Sequence, residues 1–315
     1  MNEPTYALET RALTKLYGKN VALRGIDLAV KPATIFGVIG PNGAGKTTTI
    51  RILLDIIRPS AGSAEVLGQN PQAGGSELRR QIGYLPGELR LDGRLTGATL
   101  LRYYESISGP VAPGAIAALA RRLDLDLDRQ VRTLSKGNKQ KLGLVQAFMH
   151  QPRLLVLDEP TSGLDPLVQQ EFLAMVREAR HNGQTVFLSS HVLSEIQQAA
   201  DEVAILREGR IITVSDVDSL RETAVRKVRV GIAGASISSV QAAFAGIPQL
   251  SQLVVNDEDR VRVEATLEGD IDPFVKAIAG FTVSDLAVEE PDLEQSVLRL
   301  YSVPARSPKE TLDEK

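Results

Sequence analysis

Apolar residues follow two rhythms along the first two thirds of the chain. Short apolar runs, IFGVIG at 35–40, RLLVLD at 153–158 and TVFLSS at 185–190, have the length and composition of buried strands. Between them lie stretches with helical spacing. KTTTIRILLDII follows the first run, and PLVQQEFLAMVREARHNG follows the second, closed by Asn182 and Gly183. Strands alternating with helices predict an α/β fold with a largely parallel sheet. EVAILREGRIITV at 202–214 reads as a hairpin turned at Glu208-Gly209.

The rhythm changes twice. From Leu95 to His150 no strand pattern occurs, and TLLRYYESI and GAIAALARRLDL read as helices, so an all-helical insertion is expected at about 95–150. The second change falls at 221–226. KVRVGI then alternates, ISSVQAAFAGI is helical, and RVRVEATL alternates after the turn NDED. FVKAIAGF is helical, VSDLAV a strand, and DLEQSVLRLY a last helix. This βαββαβ order predicts a small ferredoxin-like α+β domain. The expected organisation is a first domain at 1–222, an accessory domain at 223–303 and a disordered polar tail at 304–315.

Composition narrows the partners. The 315 residues are 43% apolar and 24% charged, which is ordinary for a globular chain of about two domains. A net charge of −3 offers no basic excess for nucleic acid. With no cysteine, disulfides, thiol catalysis and thiolate metal sites are excluded. The start, MNEPTYALETRAL, lacks the apolar core of a signal peptide, and runs such as LLVL are too short to span a bilayer. Any membrane role is expected to come through a partner.

GPNGAGKT at 40–47 fits G-x-x-x-x-G-K-[ST] between a strand and a helix. Its glycines let successive backbone N–H groups close on a polyphosphate. The nucleotide-binding candidates are Gly40, Pro41, Asn42, Gly43, Ala44, Gly45, Lys46, Thr47 and Thr48. Lys46 would reach the β and γ oxygens, and the Thr47 hydroxyl would serve Mg²⁺. Asp158, ending a buried strand, is the second Mg²⁺ candidate. Glu159 would face the γ-phosphate and polarise an attacking water. Such an acidic pair can also simply cap a strand; the phosphate loop favours chemistry. His191 follows the third apolar run, so three strand ends converge on one ligand, although a lone histidine is often structural. Tyr17 offers an aromatic face to adenine, or is an ordinary core or surface tyrosine. His150 and His181 read as a helix end and a last helical turn. LSKGNKQKLG at 134–143 poses a separate question, because Ser135, Lys136, Gly137 and Asn138 open a helix suited to a second anion.

GPNGAGKT, LSKGN, LLVLDEP, SGLD at 162–165 and SSH stand in the order and spacing of the ATP-binding cassette (ABC) transporter ATPases, over roughly residues 5 to 220. The chain most resembles the ATP-binding proteins of drug and antibiotic exporters, where KGxKQ-like signatures and an ending like EEPDLEQSVLRLY occur. The usual signature is LSGGQ; here Lys136 replaces a glycine and Asn138 the glutamine. The resemblance implies an α/β P-loop NTPase fold: the ABC nucleotide-binding domain, with parallel core sheet, antiparallel β subdomain and helical insertion, plus the small C-terminal α+β domain. It implies ATP hydrolysis with Mg²⁺, with Glu159 and His191 catalytic. It implies a head-to-tail dimer with a second copy, in which Ser135, Lys136, Gly137 and Asn138 act on the other copy's ATP and Asp165 couples the two sites. It also implies a separate multi-span membrane permease, and a cytoplasmic place on the inner face of the cell membrane through that permease. One departure stands out: Gly87, followed by Glu88, occupies the family's Q-loop glutamine position after IGYLP, so no metal ligand is assigned there. The competing readings are a soluble non-transport ABC ATPase, a non-hydrolytic nucleotide-dependent interaction module and a P-loop kinase. The first usually carries tandem cassettes or coiled-coil insertions, which this chain lacks.

Overall fold

The opening segment forms β1 (Leu8–Tyr17), β2 (Asn20–Val30) and β3 (Ile35–Ile39), and the phosphate loop then leads into α1 (Lys46–Leu53). Next come β4 (Ala61–Val66), α2 (Pro71–Arg79) and β5 (Ile82–Leu85). The insertion holds α3 (Gly97–Ser108), α4 (Ala115–Arg122) and α5 (Lys136–Phe148). The chain continues through β6 (Leu154–Asp158), α6 (Pro166–His181), β7 (Thr185–Ser190), α7 (Leu193–Ala199), β8 (Glu202–Arg207) and β9 (Arg210–Asp216). This computed structural model describes residues 4–91, 93–222, 225–247, 250–257 and 261–289, and the chain divides after Ser215 into two compact units.

The first unit is built on a six-stranded sheet of order β5-β6-β7-β3-β8-β9, parallel from β5 through β8. Every residue of β3, β6 and β7 is buried, as a parallel strand with both faces covered requires. Phe36 and Phe187 stack across the β3–β7 pair with centroids 6.0 Å apart. β9 joins through a two-residue turn in which Glu208 (φ 49°) and Gly209 (φ 75°) both take the left-handed conformation, matching the twist of a tight hairpin. A second, antiparallel sheet of order β2-β1-β4 packs into the same core, with Leu8, Leu23 and Val66 fully buried. Between Leu95 and His150 the described residues form helices, joined by one isolated bridge between Thr96 and Gln130.

The placement of the site follows from strand order. β3 lies between β7 and β8, and β6 lies beyond β7, so the C-terminal ends of β3, β6 and β7 are neighbours. In register, Asp158 lies beside Ser189 and Ile39 beside Ser190. Ligands of open α/β sheets bind at such edges, where loops and helix N-termini gather.

The second unit contains α8 (Val217–Glu222), β10 (Val225–Ala233), α9 (Ile237–Phe244), β11 (Leu250–Asp257), β12 (Val261–Glu268), α10 (Asp272–Ile278) and β13 (Thr282–Val288). Its antiparallel sheet has the order β11-β12-β10-β13. In β12, Val261, Val263, Ala265 and Leu267 are buried while Arg262, Glu264 and Glu268 are exposed, the alternation of a sheet covered on one face. Phe244 of α9 meets Phe274 of α10 at 5.5 Å over that face. The expected helix at 292–301, the tail at 304–315 and part of the NDED turn lie outside the described residues.

Candidate active site

The phosphate loop is shaped by what its glycines avoid. At Gly40 a Cβ would come within 2.2 Å of the Leu206 carbonyl, so no side chain fits. Gly45, the N-cap of α1, sits at φ 114°, and a Cβ there would meet Leu23 at 2.7 Å. The loop can therefore close tightly over the start of α1. That helix has no acidic residue in its own first turn, so no side chain of that turn offsets the positive end of its dipole. Lys46 is 7% exposed, and its Nζ donates to the Gly40 carbonyl at 2.6 Å.

Two carboxylates face this loop. Asp158 is buried at the end of β6; Thr47 Oγ1 donates to its Oδ2 at 2.8 Å, and Ser189 Oγ donates to its Oδ1. Both Asp158 oxygens therefore accept, as an ionised carboxylate must. Glu159 lies in the left-handed region at φ 49°, an uncommon conformation for a side-chain-bearing residue. One oxygen, Oε1, lies 3.4 Å from Lys46 Nζ, and the other, Oε2, lies 2.6 Å from His191 Nδ1. The Glu159 N–H donates to the Ser189 carbonyl at 3.1 Å, so β7 braces both acidic residues.

These groups surround a cleft of about 400 Å³, within the range of small-molecule sites. Residues Pro41 through Thr48 line it, together with Asp158, Glu159 and His191. Gly40 is not among the lining residues; its carbonyl accepts from Lys46 Nζ. The sequence did not assign five further lining residues to the cleft: Ala22, Arg51, Tyr84, Pro86 and Ser162, although Tyr84 and Pro86 stand in IGYLP and Ser162 opens SGLD. Arg51 carried a usable signal, since it follows Thr47 by four positions on α1 and so shares its face. Burial, and after it the Asp158 carboxylate, push the Tyr84 phenol above its ordinary range, with Arg51 pulling the other way. Gly87 also lines the cleft, and a Cβ there would lie 3.3 Å from the Asp158 carboxylate. Glu88 pairs instead with Arg90 at 3.0 Å near the cleft rim.

The remaining sequence candidates lie elsewhere. Tyr17 is 46% exposed at the β1–β2 turn, with Lys15 Nζ 5.2 Å from its ring, and is not among the residues lining the cleft. Ser135 caps α5, accepting from the Asn138 N–H at 3.2 Å. Lys136 Nζ donates to Ser162 Oγ at 3.4 Å, and Gly137 approaches the Gly163 carbonyl so closely that a Cβ would lie 2.7 Å from it. None of Ser135, Lys136, Gly137 and Asn138 lines this chain's own cleft. Asp165 caps α6, accepting from the Val168 N–H at 3.0 Å.

Comparison with known proteins agrees with this geometry. A family model described as ABC transporter matches residues 23–162. The bacitracin transport ATP-binding protein BcrA of Bacillus licheniformis is 37% identical, over 68% of this chain and 71% of that protein. The daunorubicin resistance ATP-binding protein DrrA3 of Streptomyces coeruleorubidus is 35% identical, over 93% of this chain and 95% of that protein. Among solved structures, an ATP-binding subunit of an ABC transporter superposes with a TM-score of 0.64 at 31% identity, covering 68% of this chain and 92% of that one. Relatives this similar over this much of both chains leave one conclusion: the chain belongs to the ABC transporter family, as one of its ATP-hydrolysing subunits.

Proposed function

We propose that this ATPase works as a head-to-tail pair of copies that powers a separate multi-span permease, in an exporter. The observation that carries the reading is the pairing of the two Glu159 oxygens with Lys46 and His191 at the cleft, while the helix start at Ser135 stays off it. Lys46 supplies charge to the β and γ oxygens. Glu159 orients a water and takes its proton as the water oxygen bonds to the γ-phosphorus. The bond from that phosphorus to the β-γ bridging oxygen breaks, leaving ADP and phosphate. His191, donating from Nδ1 to Glu159, keeps the carboxylate aimed.

Thr47 and Asp158 suit Mg²⁺: a hydroxyl and a buried, acceptor-only carboxylate lie 2.8 Å apart, both hard oxygen donors. When bound there, the ion would neutralise charge on the phosphate oxygens. Gly87 brings no side-chain ligand to that position.

The signature element completes the partner copy's pocket. A capped helix N-terminus with Lys136 beside it attracts a terminal phosphate carrying excess negative charge. Asp165 and the 78% exposed Leu167, at the start of α6, supply further surface for the second copy. Hydrolysis removes the charge that holds the pair closed, so the pair opens. Ser135→Arg is expected to abolish ATP-dependent dimerisation, measured by light scattering, and to leave ATP binding to the monomer within about twofold, since well-separated sites act independently. Weaker binding by the monomer would show that Ser135 acts within its own chain and would sink the reading.

No helix among the described residues is long and apolar enough to cross a membrane, which supports a separate permease. The contact surface we assign to it lies within the segment from Tyr84 to Tyr104, whose α3 end exposes Tyr103 at 60%. The assembly would then sit on the inner face of the cell membrane. Export is the direction consistent with relatives named for bacitracin transport and daunorubicin resistance. Tyr103→Asp is expected to leave the isolated subunit's ATPase within about twofold, as exposed substitutions usually do. It should abolish ATP-driven transport with the permease reconstituted in vesicles; undiminished transport would place the contact elsewhere.

A further inference from the structure

α5 touches the loop behind the catalytic carboxylate at three points on one face. Lys136 reaches Ser162, Gly137 packs backbone to backbone against Gly163, and Gln140 penetrates deepest. Gln140 is 3% exposed, and its Nε2 donates to the carbonyls of Glu159 at 3.3 Å and Pro160 at 3.0 Å. A buried amide donor shared by two carbonyls is a costly feature to build and is satisfied only in this arrangement. The residue it holds is the one in the left-handed conformation, φ 49°, which persists only while its surroundings enforce it.

We propose that Gln140 is a positioning residue that relays engagement of the α5 N-terminus with the partner's ATP to Glu159 at this chain's own ATP. The inference rests on the head-to-tail reading above. Ser135 and Gln140 are five positions apart on a continuous helix, so a shift at the helix start is carried to the amide with little loss. The amide moves the Glu159 and Pro160 peptides, and the carboxylate moves with them. Turnover at one site thereby depends on occupancy of the other, and hydrolysis is cooperative in ATP.

Gln140→Met keeps an unbranched side chain of similar volume and deletes both hydrogen bonds. Its ATP affinity as a monomer, and its ATP-dependent dimerisation in a Glu159→Gln background, are expected to match the parent. Its kcat should fall about ten- to a hundredfold, the scale of a small misplacement of a catalytic group. KM should change little, and the Hill coefficient for ATP should drop to one. Gln140→Asn keeps the amide but shortens its reach by one methylene, and tests the same loss should the Met variant fail to fold. A folded variant with wild-type kcat and Hill coefficient overturns the inference. So does a fall in kcat with an unchanged Hill coefficient, which would make Gln140 a local prop, and so does a wild-type Hill coefficient of one. If the Glu159→Gln parent itself fails to dimerise with ATP, the head-to-tail reading falls first and takes this inference with it.

Discussion

Glu159→Gln is expected to lower ATP turnover by about two to four orders of magnitude, the contribution of a positioned general base. The substitution preserves size and removes the charge and basicity needed to take a proton from water. It also breaks a local symmetry of acceptors. Glu159 presents one oxygen to Lys46 and the other to His191, whereas glutamine has a single acceptor and a donating amide. One of the two contacts must be lost or His191 must change tautomer. ATP binding should be equal or stronger, because a negative charge leaves the neighbourhood of the γ-phosphate. ATP-loaded dimers should consequently accumulate, visible by light scattering, while a phosphate-release assay falls almost silent. Turnover within about tenfold of wild type would remove Glu159 from the role of base.

Lys46→Met is expected to act on binding. Its ammonium is nearly buried, already directed into the loop by the Gly40 carbonyl, and so pre-organised for phosphate oxygens. Each charge-assisted hydrogen bond lost costs about 1.5–3 kcal/mol. ATP affinity should therefore fall by roughly one to two orders of magnitude, measured by calorimetry on the monomer. Without nucleotide the variant should also be less stable than the parent, because Glu159 keeps its charge and loses one cation. Undiminished affinity would place the β and γ oxygens away from Lys46.

The phosphate loop was readable because everything it needs is local. Gly40, Gly45, Lys46 and Thr47 fall within eight consecutive residues, where backbone freedom and helix polarity are set locally. The parallel core strands, the helical insertion, the pairing of β8 with β9 and the alternating strands after residue 225 followed from periodicity, which records which faces are buried. The antiparallel β2-β1-β4 sheet was expected only from the family resemblance. Asp158 and Glu159 were legible for a related reason: an apolar run ending in two carboxylates must present them at a sheet edge. Tyr84, Arg51 and Ser162 were not legible as cleft residues, since their side chains reach it only after β5, α1 and the loop behind β6 have packed. Gln140 was less legible still. In sequence it closes the KGxKQ-like signature at 136–140, but nothing there ties its amide to Glu159, nineteen positions away.

The amino-acid sequence by itself determined that a glycine-rich loop opens a helix after one buried strand and that another buried strand ends in paired acidic residues, because hydrophobic period, glycine placement and charge are properties of short segments. Tertiary structure alone decided which oxygens meet which cations, that Glu159 is held in a left-handed turn, and that α5 grips the loop behind it. The physical reason is range. Local patterns select strands, helices and loops within a few residues, whereas a hydrogen bond of about 3 Å between distant segments exists only when the packing of the whole unit brings them to that separation.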